Sequence, residues 1–163
     1  MISFALYGRV GQGVRSAARV LAKAAFYSGY QVQCLIPYAN SVQTGFVKID
    51  KAPIASRELV EPDFFLVFDM RIASFKNVKQ GAVIIANARE KPMIKTKNNA
   101  KVFYVNASDV ALAAKSRIPN MAMLGALAKA FGKLPMKHLR AAAEEEGLQA
   151  MHAFEEGFRS VKR

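Results

Sequence analysis

Gly8-Arg9-Val10-Gly11-Gln12-Gly13-Val14, GRVGQGV, is the stretch on which the fold reading turns. Before it, ISFALY (2–7) is an apolar run of strand length. After it, Val14, Ala17, Ala18, Leu21, Ala22, Ala25 and Phe26 recur at helical spacing. That pattern predicts a helix over about Gln12 to Ser28, with Gly29 placed to stop it. Glycines between a first strand and a first helix let the backbone approach an anion closely. The free N–H groups and the positive end of the helix dipole then favour negative charge. The spacing is Gly-x-x-Gly-x-Gly, whereas a dinucleotide fingerprint is Gly-x-Gly-x-x-Gly and needs an acid some 20 residues on. No Asp or Glu lies between Gly13 and Asp50, which argues against a conventional NAD site. No Lys-Ser/Thr pair follows the glycines, so this is not a P-loop. Two readings stay open: an anion site of another kind, or a tight turn that holds nothing.

Working outward, Tyr30 to Ile36 reads as a second strand ended by Pro37, and YANSVQTG (38–45) as a polar loop. FVKID (46–50) alternates like an antiparallel strand with Lys48 on its wetter face. Phe64 to Phe68 is apolar on both faces, as in a central strand of a sheet covered on two sides. A short helix is predicted at Arg71 to Phe75, and strands at Ala82 to Ala86 and Lys101 to Val105. NASDVALAAKS (106–116) starts a helix with Ser108 as N-cap. Three more helical stretches follow: NMAMLGALAKAF after Pro119, MKHLRAAAEEE after Pro135, and LQAMHAFEEGFRSVKR at the end. Strands alternating with helices imply an α/β, Rossmann-like, mostly parallel sheet with one antiparallel strand and a helical C-terminal third. The length of 163 residues suits a single domain, 1–163.

Composition sets the function classes. Apolar residues are 52% and charged residues 22%, which excludes disorder. No apolar run approaches the roughly 20 residues of a membrane span, and Met1 to Gly13 lacks a basic leader. A cytoplasmic location without membrane contact is expected. Lys+Arg number 24 against 12 Asp+Glu, a net +12. Lys76, Lys79, Arg89, Lys91, Lys95, Lys97 and Lys101 face Glu90 alone in their stretch. Such a surface meets a polyanion or an acidic protein, or is simply solvated. No aromatic residue interleaves those bases, so a nucleic-acid stacking platform is not indicated. The single Cys34 cannot ligate an iron–sulfur cluster and reads as a core thiol. His138 and His152 have no Cys or carboxylate at ligand spacing, and Glu144 to Glu146 read as a solvated patch. Asp69 ends its strand where ligands bind in open α/β sheets, or caps the next helix. These residues do not form a self-sufficient catalytic set.

Several motifs combine into one resemblance. Gly8 to Gly13 resembles the Gly-x-Gly-Gly-Gln-Gly opening of the gamma subunit of 2-oxoacid:ferredoxin oxidoreductases. FVKIDKAPI (46–54), EPDFFLVFD (61–69), NMAMLGA (120–126) and HAFEEGF (152–158) are similar to later signatures of that family, in order. Two departures stand out. Val10 replaces a glycine, and YANSVQTG lacks the Glu and Arg of a longer family loop, with Thr44-Gly45 as its remnant. The resemblance implies an enzyme complex that turns a 2-oxoacid, coenzyme A and oxidised ferredoxin into acyl-CoA, carbon dioxide and reduced ferredoxin. It implies thiamine diphosphate with magnesium between alpha and beta subunits, and iron–sulfur clusters in beta and delta. For this chain it implies a non-redox gamma subunit that aids assembly, is not catalytic alone, and meets ferredoxin only through the complex. Coenzyme A is then expected at Gly8, Arg9, Gly11, Gln12, Gly13 and Arg15, with Gln12 alternatively bonding an adjacent loop. A purely structural subunit is the alternative, and a basic nucleic-acid-binding domain the more distant one.

Overall fold

Alternating apolar residues from Ile2 to Arg9 build strand β1, whose Phe4 and Leu6 face one way and Ala5 and Tyr7 the other. A computed structural model describes residues 1–75, 78–96 and 98–163. In chain order the remaining elements are α1 (Val14–Tyr27), β2 (Gln31–Leu35), β3 (Val42–Asp50), β4 (Phe64–Val67), β5 (Val83–Asn87), β6 (Lys101–Val105), α2 (Ala107–Ala113), α3 (Asn120–Phe131), α4 (Met136–Glu144) and α5 (Leu148–Ser160). The strands form one sheet in the order β2-β3-β1-β4-β5-β6. β1, β4, β5 and β6 pair in parallel, and β3 lies antiparallel between β1 and β2. The fold is the expected mixed α/β sheet with its helices concentrated after residue 105.

β3 is longer than the alternation of FVKID suggests. It opposes Val42 to Arg9, Gln43 to Gly8 and Gly45 to Leu6, so Gly8 and Arg9 belong to a strand and the polar loop shrinks to 36–41. Gln43 is buried there because its Nε2 donates to the carbonyls of Pro37 at 2.9 Å and Thr44 at 2.8 Å. Gly45 lets α1 cross the strand, since a Cβ would stand 3.0 Å from that of Ala18.

One core lies between the sheet and the helices: Phe4, Leu6, Val47, Leu66 and Ile85 meet Leu21, Leu124, Leu127, Leu139 and Phe154. Helix α3 is apolar nearly all round because it is enclosed by the sheet and α5. The two helices approach at Gly125 and Gly157, where a Cβ would fall 1.9 Å from the Phe154 carbonyl oxygen and 2.1 Å from that of Ala122. Both glycines of the NMAMLGA and HAFEEGF signatures are therefore packing residues.

The second core joins Ala5, Phe65, Val67 and Ile84 to Val78 and Ala82, with Tyr7, Phe46, Met70 and Ile94 against them. It contains no helical residue among those described, so β4 is covered on both faces, but by helices on one and by connecting chain on the other. The helix expected at 71–75 does not form. Asp69 Oδ1 accepts from the Arg71 backbone N–H at 3.0 Å and holds Met70 to Ile72 in a turn. Asn106, rather than Ser108, caps α2 by accepting from the Asp109 N–H. Ser108 Oγ accepts instead from Asn87 Nδ2 at 3.0 Å. Lys48 is buried, not on a wet face. Cys34 is exposed on the edge strand rather than in the core. Desolvation still pushes its thiol pKa up, with the Arg19 charge pulling it down. Of the basic stretch, Lys76 and Lys97 lie outside the described residues. Lys79 and Arg89 are paired with Asp63 and Asp109.

Candidate functional site

The turn from β1 into α1 closes on itself. The Gln12 N–H donates to the Arg9 carbonyl at 3.1 Å, and the Arg9 N–H donates to Gln12 Oε1 at 2.7 Å. Gln12 is thus engaged within its own loop and, among the described residues, bonds no other. The Val10 N–H donates to the Ser41 carbonyl at 2.9 Å and fastens the turn to the connection before β3. Ser16 Oγ donates to the Gly13 carbonyl at 3.0 Å and accepts from Asn120 Nδ2 at 2.7 Å, which locks the start of α1 to the start of α3.

The three glycines differ. A Cβ at Gly8 would meet Val14 Cγ2 at 2.6 Å and Phe68 Cβ at 2.9 Å. Gly13 has φ +81°, and a Cβ there would meet Asn120 Cβ at 2.7 Å. Gly11 also has positive φ, +95°, but a Cβ would find nothing within 4 Å. Gly8 and Gly13 serve packing, and Gly11 leaves open space.

That space is a cleft of about 360 Å³ lined by Arg9, Val10, Gly11, Gly13, Arg15, Ser16, Arg19 and Gln43, among others. Helix α1 enters it with its first-turn N–H groups uncapped by any side chain and with no acid in the first turn. Arg15 and Arg19 stand one turn apart on the exposed helix surface, and neither pairs with a carboxylate among the described residues. Like charges at that spacing cost about 0.2–0.5 kcal/mol. A cation near a helix N-terminus forgoes a further 0.3–1 kcal/mol or so that an acid would gain.

Asp69 anchors the third arginine. It is buried at the end of β4 and accepts from Arg9 Nε at 2.7 Å and from Arg71 Nε and Nη2 at 2.9 and 2.7 Å. The Arg71 guanidinium, against the opposing effect of burial and with Arg9 assisting, holds the Asp69 carboxyl well below the usual carboxylate range. Of the residues expected at the site, Arg9, Gly11, Gly13 and Arg15 line the cleft, while Gly8 and Gln12 build the turn behind it. Arg19, Ser16 and Gln43 escape the sequence reading. Arg19 is detectable as the residue one turn after Arg15; Gln43 is not, because its strand reads as loop. His138 Nδ1 lies 2.9 Å from Ser28 Oγ, a helix-to-helix tie. No group of three metal-ligating side chains occurs among the described residues. No helix there is long and apolar enough to cross a membrane.

Residues 3–160 match the family model described as pyruvate ferredoxin/flavodoxin oxidoreductase. The pyruvate/ketoisovalerate oxidoreductases common subunit gamma of Thermococcus kodakarensis is 33% identical over 159 residues, 89% of this chain and 86% of that one. The crystal structure of pyruvate oxidoreductase subunit PORC from Thermotoga maritima superposes with a TM-score of 0.85 at 28% identity, covering 99% of this chain and 97% of the other. A 2-oxoglutarate:ferredoxin oxidoreductase from Magnetococcus marinus, solved with 2-oxoglutarate, coenzyme A and succinyl-CoA bound, shares the fold at TM-score 0.76 and 18% identity. That likeness covers 97% of this chain and 30% of the longer one.

Proposed function

The chain belongs to the pyruvate ferredoxin/flavodoxin oxidoreductase family, and from that premise we propose that it is the gamma subunit of a 2-oxoacid:ferredoxin oxidoreductase whose α1 cleft holds the phosphates of coenzyme A. The observation that carries the reading is the pair Arg15 and Arg19, without carboxylate partners among the described residues, beside uncapped first-turn N–H groups and the open Gly11. Phosphate oxygens accept charge-assisted hydrogen bonds from such donors, each worth about 1.5–3 kcal/mol. Arg9 is held in place by Asp69 and needs little ordering on binding. Val10 lines the cleft and is 53% exposed, and Gly11 beside it presents no side chain at all. That the Magnetococcus enzyme binds coenzyme A supports the ligand class. In this proposal thiamine diphosphate, magnesium, the iron–sulfur clusters and the contact with ferredoxin belong to the alpha, beta and delta subunits.

Steady-state kinetics of the assembled complex test it. Arg15→Glu with Arg19→Glu should raise KM for coenzyme A at least tenfold and leave KM for the 2-oxoacid unchanged. An unchanged KM for coenzyme A in an intact complex would sink the proposal. The reading left standing would be a structural subunit, which the engagement of Gly8, Gln12 and Gly13 in closing the turn favours.

A further inference from the structure

The two edges of the sheet end differently. At β6 the main chain is closed: Tyr104 and Lys162 exchange two N–H···O bonds of 2.9 Å, and Arg163 lies over the Phe103 ring. At β2, the residues Gln31–Leu35 carry no charge and no proline, and pair only with β3 among the described residues. Soluble proteins ordinarily blunt an edge with charge, proline, a bulge or a covering segment. Among the described residues β2 has no charge, proline or bulge; Gln33 Nε2 donates to the Ile54 carbonyl at 3.4 Å, and the five residues are an ordinary strand length.

Beside this edge, on the face without helices, is a cavity of about 260 Å³. Leu35, Phe46, Leu59 and Val60 give it apolar walls, and Lys48 and Arg57 give it charge. Lys48 is only 7% exposed. Its Nζ donates to the carbonyls of Ser56 at 2.7 Å and Glu58 at 2.9 Å, and no carboxylate lies within ion-pair distance among the described residues. A buried ammonium satisfied by carbonyls alone retains uncompensated charge. Arg57 is exposed and likewise has no acidic partner among those residues.

We propose that β2 is an assembly edge. An extended segment of another subunit of the complex adds to it as a further strand, seats an apolar side chain in the cavity, and brings an adjacent Asp or Glu to Lys48 and Arg57. Main-chain bonds along the edge supply affinity and the cavity supplies specificity. Charge selects the occupant: a second copy of this +12 chain would bring its own Lys48 and Arg57 against the first pair, whereas an acidic segment neutralises them. The inference rests on the chain being a subunit of a complex, and is independent of the arginine cleft.

Cys34, the single cysteine, lies on β2 and is exposed; opposite Val47 in the register, its thiol is on the α1 face, so it reports on strand addition and not on the cavity. Maleimide labelling of Cys34 and amide exchange at 31–35 are compared between the native complex and the full chain alone at low concentration. Labelling at least tenfold slower in the complex, with protected amides, is the expected result. Arg57→Glu, an exposed change that leaves the melting temperature of the chain alone unaltered, should restore labelling by weakening assembly. Equal labelling and exchange in the two samples would overturn the proposal. So would protection that arises in the chain alone as its concentration rises, which would assign the edge to a second copy. The KM for coenzyme A is read on the same complex. A normal value with Cys34 unprotected removes the assembly edge and leaves the cleft reading intact.

Discussion

Gly125 and Gly157 at the α3–α5 crossing, and Gly11 at the mouth of the cleft, are the same residue type under opposite constraints. At the crossing, added Cβ atoms would stand 1.9 and 2.1 Å from backbone carbonyl oxygens of the facing helix. At Gly11 an added Cβ would touch nothing, and the residue is set apart by its positive φ alone. A motif glycine can therefore mark a contact already made inside the chain or a space kept clear, and the sequence writes both with one letter. Gly8 and Gly13 show how the two mix within six residues, for both sit in the signature loop yet both are filled by packing. The comparison narrows the ligand question to the surroundings of Gly11.

The sharpest way to break it is at the crossing. Gly125→Ala or Gly157→Ala forces backbone apart from backbone, where ordinary overpacking already costs about 1–3 kcal/mol. We expect about 3 kcal/mol or more of lost stability for either change, read by urea unfolding of the chain. A loss below about 1 kcal/mol, no more than a tolerated core swap, would mean that the helices separate easily and that these glycines are not packing residues.

The next effect is electrostatic. Asp69→Asn removes the charge that receives Arg71 and Arg9, and hydrogen bonds to charged groups contribute about 1.5–3 kcal/mol. Because the native carboxyl is held below its ordinary value by Arg71, with burial opposing and Arg9 assisting, its contribution is full above about pH 4. It is lost as pH falls from there toward the depressed native value. Melting temperature followed from pH 7 down to pH 2.5 should fall less steeply below pH 4 in the variant than in the parent chain. Equal slopes would show that Asp69 does not hold the arginines in solution. A second readout joins this residue to the cleft: with Arg9 released, KM for coenzyme A in the complex should rise severalfold.

These sites were unevenly visible before the structure. Apolar runs of strand length, the alternation of FVKID and period-3.6 patterns locate the six strands and the long helices, because burial leaves that trace directly. The start of β3 was hidden because Gln43 is polar, and only the Pro37 and Thr44 carbonyls explain how it can be buried. The missing helix after Asp69 has a side-chain cause, the bond from the Arg71 N–H, which no periodicity encodes. What covers the second face of β4 is equally unreadable, since the strand is apolar on both faces whether helices or connecting chain cover it. At the site, Arg9, Gly11 and Gly13 belong to the motif, and Arg15 lies two residues beyond it. Arg19 and Gln43 enter the cleft only through the helical turn and the strand pairing that bring them there.

The smallest stability effect and the most informative one coincide at Gly11. Gly11→Ala meets no atom within 4 Å, so its cost reduces to holding an L-residue at φ +95°, about 1–2 kcal/mol. Gly8→Ala is the matched control, because there φ is not positive and the cost comes from crowding against Val14 and Phe68. If the space at Gly11 receives a phosphate, Gly11→Ala raises KM for coenzyme A out of proportion to its loss of stability. A larger Gly11→Asp, which adds negative charge at the helix start, then raises it further. If the space is merely an open turn, the Gly11 variants lose stability in the same small measure and KM stays put. The ratio of the binding effect to the stability effect, high at Gly11 and near zero at Gly8, is then the quantity that separates a space kept clear from a contact already made.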